Sequence, residues 1–441
     1  GYMSSPEKSD IKENPFLKMM DTNIGRSGIE QSFEKELRGF PGTRHLEVNA
    51  RGREIREISK EESVRGSNIK LTIDINLQKY INSLLKDKSG SIVVIDVNNG
   101  EILAMESSPN FDPNLFTKSI SQEEWDKLIN NPMAPLVNKS ISGEYSPGST
   151  FKLIVLYSAL INKIIKPNGA INCSSKVEYG DRNFYCWCHK KKTGCWATQT
   201  RTRKVGPELA IAQSCDGFFY KLAKKLGIEN IAETAKNFGL GSKTGVNLKG
   251  EKSGLVPNKS WKKKHYKQSW KIGETMITGV GQGFLTTTPI QLAVMIAMFA
   301  NNGKKIFPTI YKNIKGVNAN DNEVFTTQTL YQKKFFSLIK NGMFSVVNKP
   351  FGTAFGSRTS RPIFAGKTGT VQVRTISENE RELGIIPNKD LPFNQRDHAL
   401  FLGFAPYKNP KIAVSVVIEH GGSGSKIAAP IAKKIFKKAL L

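Results

Sequence analysis

The stretches that read as β-strands lie at the two ends of this 441-residue chain, with a helical middle between them. "SIVVIDVNNGEILAMES", 91 to 107, reads as two strands joined at Asn99-Gly100, a dipeptide suited to a tight hairpin. The matching runs "IFAGKTGTVQV", "HALFLGFAPY" and "KIAVSVVIEHG" all come after residue 362. Between them, "SPGSTFKLIVLYSALINK" predicts a buried helix from about Ser149, and "PELAIAQSCDGFFYKLAKKLG" predicts a second. "QLAVMIAMFA", 291 to 300, predicts another buried helix, too short for the roughly 20 apolar residues of a membrane span. Asp74 is placed to cap a helix whose apolar face is Leu77, Ile81, Leu84 and Leu85, and "IAAPIAKKIFKKAL" closes the chain as an amphipathic helix. Apolar strands so far apart in sequence are buried most simply in one antiparallel sheet flanked by helices, an α/β (α+β) arrangement.

The first 68 residues have a different texture, polar and rich in Gly and Arg, and a domain boundary is expected at 68/69. Here "GIEQSFEKELRG" predicts a helix carrying Ile29, Phe33 and Leu37, and "HLEVNARGREIRE" a hairpin turning at Ala50 to Gly52. The opening "GYM" resembles an expression scar, so a targeting segment and membrane anchor are expected to be missing from this stretch. The formal charge of +27 fits either anionic partners or lysine-rich solvated faces. Its densest run, "SWKKKHYKQSWK" (260 to 271), interleaves cations with Trp261, Tyr266 and Trp270. No nucleic-acid motif surrounds that run, which leaves a glycan or phospholipid contact and no nucleic-acid partner.

Chemistry enters with three short polar motifs. Ser149 and Lys152 are three residues apart on a predicted helix, so the amine can reach the hydroxyl and act as its base. Taken alone, S-x-x-K is common by chance. Ser214-Cys215-Asp216 is a polar triplet inside an apolar helical run, costly there unless it faces a site. Lys367-Thr368-Gly369-Thr370 follows a strand-like run, with Gly369 allowing close approach to its backbone. The order S-x-x-K, S-x-D, K-T-G is the signature of serine acyltransferases that recognise penicillin.

With "GRSGIEQSFEKELRGFPGTR", "YSPGSTFK", "AIAQSCDGFFY", "VGQGFLTTTPIQLA", "AGKTGTVQV" and "DHALFLGFAP", the chain resembles the elongation-type class B penicillin-binding proteins over nearly its whole length. The resemblance implies the penicillin-binding transpeptidase (serine β-lactamase-like) fold, a five-stranded antiparallel sheet flanked by helices over 69 to 441, after the remnant of a pedestal domain over 1 to 68. It implies a peptidoglycan D,D-transpeptidase in which Ser149 forms an acyl-enzyme with D-Ala-D-Ala stems, Lys152 and Ser214 handle the proton, and Asp216 stands where many relatives carry Asn. Lys367 would supply the positive field, Thr368, Gly369 and Thr370 would bind the substrate carboxylate, and the backbone N–H groups of Ser149 and Thr370 would form the oxyanion hole. Implied partners are β-lactams, a RodA-type glycosyltransferase with other rod-complex proteins, and the bacterial inner membrane, with the catalytic part periplasmic and no catalytic cofactor. A D,D-carboxypeptidase, a serine β-lactamase or a non-catalytic penicillin sensor are the alternatives.

All five cysteines fall between 173 and 215. Two readings stay open: disulfides, or a tetrahedral zinc site using the C-x-x-H spacing of Cys186 and His189. Similarity to some relatives carries Cys173, Cys186 and Cys215 across as metal ligands, and His189 is the first choice for the fourth, with Cys188 and Cys195 behind it. His45, His265, His398 and His420 have no ligand-like spacing and are expected to be packing or surface residues.

Overall fold

The computed structural model describes residues 1–19, 22–117, 120–189, 204–314, 317–318 and 333–441. Asp74 accepts from the Asn76 and Leu77 N–H groups and so starts α1 (Ile75–Leu84), as its position before the apolar stripe predicted. Next come β1 (Gly90–Asp96) and β2 (Ile102–Ser108), paired antiparallel across the Asn99-Gly100 turn. The helical middle contains α2 (Lys152–Ile161), α3 (Pro207–Ala212), α4 (Asp216–Leu226), α5 (Pro289–Ala300) and α6 (Lys333–Asn348). The chain then returns through β3 (Ala365–Val371), β4 (His398–Ala405) and β5 (Ile412–Ile418), and ends in α7 (Ala429–Leu440).

These five strands form one antiparallel sheet in the order β3-β4-β5-β1-β2, so the two ends of the chain meet where Gly90 opposes Ile418. β1 and β5 are buried on both faces, which is why they read as unbroken apolar runs rather than alternating ones. Every residue of α5 is buried, and this helix packs on β5, β1 and β4. α2 is buried almost as fully, among α4, α6 and the helix Ile228–Asn237. Tyr157 of α2 stands in a ring cluster with Phe238, Phe299 and Phe336 that locks these helices together. No described helix is long and apolar enough to cross a membrane.

The N-terminal segment forms the expected hairpin, Thr43–Val48 paired with Glu54–Glu61. The helix expected around Ile29, Phe33 and Leu37 divides at Phe33 into Gly28–Ser32 and Glu34–Arg38. Phe33 has φ −119° there and turns its ring into the main core against Tyr311, at 5.4 Å between centroids.

Candidate active site

The nucleophile region departs from the sequence reading in one respect. Residues Gly148–Phe151 form a 3₁₀ turn, and the α-helix proper begins at Lys152. That turn packs on β3, where a side chain on Gly369 would meet Thr150 Cγ2 at 3.1 Å and Pro147 O at 3.4 Å. A second support is Gly281, whose carbonyl accepts the Gly148 N–H at 2.8 Å. Gly281 has φ +77°, and a Cβ there would fall 2.0 Å from Gly148 O, so only glycine fits.

Expected as one helix, 207 to 227 is instead two, α3 and α4, broken at the polar triplet. Ser214 sits at the break with φ +54°, a costly conformation for a residue with a side chain. Cys215 is the N-cap of α4, and Asp216 its first helical residue. The break lets both the Oγ and the backbone carbonyl of Ser214 face the Lys152 amine, at 3.1 and 3.0 Å.

All five expected catalytic side chains converge. Lys152 Nζ donates to Ser149 Oγ at 2.9 Å and to Asp216 Oδ1 at 2.6 Å. Lys367 Nζ, reaching over from β3, donates to Ser214 Oγ at 2.9 Å and to the Thr368 carbonyl at 3.0 Å. Ser214 Oγ thus bridges two lysines that are both fully buried, while Ser149 is partly exposed where a substrate can reach it. Burial, helped by the charge of Lys152 and opposed by Asp216, holds the Lys367 ammonium well below the ordinary lysine range. Burial also pushes the Asp216 carboxyl up, against the pull of Lys152. Its second oxygen accepts the Trp187 N–H at 2.9 Å, so the cysteine-rich segment holds Asp216 directly.

Thr368 Oγ1 is hydrogen-bonded to Thr353 Oγ1 at 2.8 Å, and Thr370 lies exposed beyond Gly369 on the same strand. A hydroxyl beside a base, a second hydroxyl bridging to another amine, and a strand edge open to an extended ligand together suit acyl transfer through a covalent ester.

Sequence reasoning missed Trp187, since nothing in "CWCH" shows that its backbone would face Asp216. It also missed Glu378 and Arg381, in the short helix Glu378–Leu383 of the β3–β4 connection. Glu378 accepts from Asn183 Nδ2 and Tyr185 OH at 2.7 and 3.0 Å, and Arg381 lies over the Tyr185 ring. The hairpin Lys176–Tyr179/Arg182–Tyr185, which leads into Cys186, therefore clasps the loop that follows β3.

Of the expected metal ligands, Cys173 and Cys215 are joined as a disulfide, and Cys186 is buried in the same core. His189 Nδ1 lies 3.3 Å from Ser175 Oγ, while its buried Nε2 finds no hydrogen-bond partner among the described residues. No three of the described His, Cys, Asp and Glu side chains surround a common point that could hold a metal ion. Cys188 is buried, and Cys195 lies outside the described residues. His398 and His420 are packing residues at the β4 and β5 ends, ring against ring at 4.7 Å.

Comparison with known proteins agrees with this geometry. Residues 90–437 match the family described as the penicillin binding protein transpeptidase domain, and residues 1–71 the penicillin-binding protein dimerisation domain. The peptidoglycan D,D-transpeptidase MrdA of Haemophilus influenzae is 36% identical over 99% of this chain, and that of Escherichia coli K12 is 35% identical over 97%. The chain spans 66% and 67% of the length of those two relatives. Among solved structures, penicillin-binding protein 2 of Helicobacter pylori in complex with MreC superposes with TM-score 0.85 at 32% identity, over 99% of this chain and 76% of that one. The Pseudomonas aeruginosa protein in complex with WCK 5153 gives 0.82 at 34%, over 100% and 88%. With the fold, the motif order and the convergence of Ser149, Lys152, Ser214 and Lys367 in agreement, the chain belongs to the penicillin-binding protein 2 family of peptidoglycan D,D-transpeptidases.

Proposed function

We propose that this chain cross-links peptidoglycan during cell elongation through an acyl-enzyme on Ser149, a reading carried by the single hydrogen-bonded chain Ser149–Lys152–Ser214–Lys367. Ser149 Oγ attacks the carbonyl carbon between the two D-alanines of a stem peptide, and Lys152 Nζ takes its proton. Ser214 Oγ relays a proton to the leaving amine as the amide C–N bond breaks, D-alanine departs, and an ester remains. An acceptor amine then attacks the ester, forms the new amide and returns the proton to Ser149. Asp216 orients Lys152, Lys367 offsets developing negative charge, and Thr368 and Thr370 hold the substrate's terminal carboxylate. The Ser149 and Thr370 N–H groups stabilise the oxyanion.

The test is labelling by a fluorescent penicillin. Wild type takes up a long-lived label and Ser149→Ala takes up none; equal labelling of the two would refute the acyl-enzyme. Rapid loss of the label would favour a β-lactamase instead.

The division into a pedestal remnant over 1–68 and a catalytic unit over 69–441 is part of the same reading. So are anchorage in the inner membrane with a periplasmic active site and assembly with a RodA-type glycosyltransferase; solved relatives include a complex with MreC and a peptidoglycan synthase complex. For the reduced cysteine-rich segment we propose a structural zinc held by Cys173, Cys186, His189 and Cys215. The orphaned Nε2 of His189, with Nδ1 beside Ser175 Oγ, supports it, because zinc-bound histidines commonly engage their second nitrogen in this way. The ion would tether the segment behind Asp216 and take no part in the acyl transfer. Metal analysis with a thiol count decides: no zinc, with Cys173 and Cys215 oxidised, refutes it.

A further inference from the structure

The basic run at 260 to 271 has no part in the chemistry above, yet it folds into a definite surface. The helix Lys259–Tyr266 is capped by Asn258 and held to its neighbour by the ion pair of the buried Lys262 with the partly exposed Glu274. On its outer side Trp261, Tyr266 and Phe284 form a mutual ring cluster, with centroids 5.6 Å apart for Trp261–Tyr266 and 5.2 Å for each ring with Phe284. Tyr266 is 50% exposed, and Trp261 and Phe284 are partly so. Around them Lys263, Lys264 and Lys267 are exposed, and none is paired with a carboxylate among the described residues. A ring cluster open to solvent and edged by unpaired ammonium groups is a surface for a ligand with both apolar faces and negative charge.

Its position narrows the ligand. Phe284 is three residues from Gly281, the residue whose carbonyl holds Gly148 beside the nucleophile. Three residues span at most about 11 Å, so the Phe284 backbone lies within about that distance of the glycine that holds the Ser149 turn. The polymer cross-linked at Ser149 offers both sugar faces and, on its stem peptides, carboxylates, and the reaction itself brings it to this neighbourhood.

We propose that Trp261, Tyr266 and Phe284 form a subsite for the glycan strand of peptidoglycan: the rings stack on the C–H faces of its hexosamine sugars, and Lys263, Lys264 and Lys267 attract the carboxylates of the stem peptides it carries. This rests on the transpeptidase reading and extends it from the stem peptide to the sugar backbone. The surface holds the strand so that successive stems meet Ser149, and it explains why part of the positive charge is concentrated at this helix.

Binding is measured with soluble glycan strands that keep their stem peptides, and separately with vesicles containing phosphatidylglycerol. Two variants are compared with wild type, Tyr266→Ala with Phe284→Ala, and Lys263→Glu with Lys264→Glu. Removing each ring is expected to weaken glycan binding about tenfold, by analogy with base stacking on aromatic side chains, and the lysine variant should weaken it and flatten its salt dependence. Near-ultraviolet circular dichroism checks folding, and the lysine variant, which alters only exposed side chains, keeps the test valid should the aromatic one misfold. Glycan binding within about twofold of wild type in every folded variant overturns the proposal. So does wild type binding the vesicles but not the strands. Penicillin labelling of wild-type Ser149 reports separately on the transpeptidase reading, so the two can fail independently.

Discussion

His398 opens β4 opposite Val371, the last residue of β3, and its Nδ1 accepts the His420 N–H at 3.0 Å. Burial, with the nearby His420, lowers its pKa from 6.5 to about 4, while Glu419 pulls the other way. Between those values the unfolded chain binds a proton that the folded protein refuses. Stability from this group is therefore complete above pH 6.5, falls as pH drops towards 4, and levels off below. The linkage relation gives a loss of about 2 kcal/mol on going from pH 7.5 to pH 5. His398→Gln keeps an oxygen able to accept the His420 N–H but does not titrate. Urea unfolding at the two pH values should show wild type losing about 2 kcal/mol more than the variant, in addition to whatever the other groups contribute to both. NMR titration of the His398 ring should give a midpoint near 4. Equal losses in wild type and variant, to within about 0.5 kcal/mol, or a ring midpoint near the unperturbed value, would refute the reasoning.

Two other expectations concern the site itself. Gly281→Ala places a methyl group 2.0 Å from Gly148 O at a positive φ, so thermal unfolding should show a loss of at least about 1 kcal/mol together with slower penicillin acylation. A variant as stable and as reactive as wild type would contradict the close backbone approach. Lys367→Ala removes the second amine donor to Ser214 Oγ and leaves that buried hydroxyl short of a partner, a cost of about 1 to 3 kcal/mol, so stopped-flow acylation should slow about 5- to 150-fold. An unchanged rate would show that Ser214 needs no second lysine.

Much of this was legible in the sequence because it depends on local pattern. The Asp74 cap, the Asn99-Gly100 hairpin and the buried α5 each follow from a few neighbouring residues. The three motifs told which side chains would converge, since their residue types have little reason to coexist in that order otherwise. The helix break at Ser214 was not legible: Ala210 and Ala212 before it and the apolar positions from Phe218 to Ala223 after it continue a helical pattern, and only tertiary contacts with Lys152 and Lys367 offset the cost of its left-handed backbone. Likewise, the clasp of Glu378 on Tyr185 joins residues 193 apart, with no periodicity to announce it. Phe33 fits a helical stripe, yet it ends one helix and begins another, because its ring is claimed by the core of the catalytic unit.

The pairing of Gly90 with Ile418 fixes when this protein can first work. Ser149, Lys152 and Ser214 are all made long before Lys367, but β3 joins β1 only through β4 and β5, so the sheet closes last of all. Contacts across so many residues form slowly because a large loop must close before they repay its entropy. A growing chain therefore carries its nucleophile unassembled until the last strand emerges. Truncation just before Ile412 should then silence the enzyme, although every residue of the proposed site is still present.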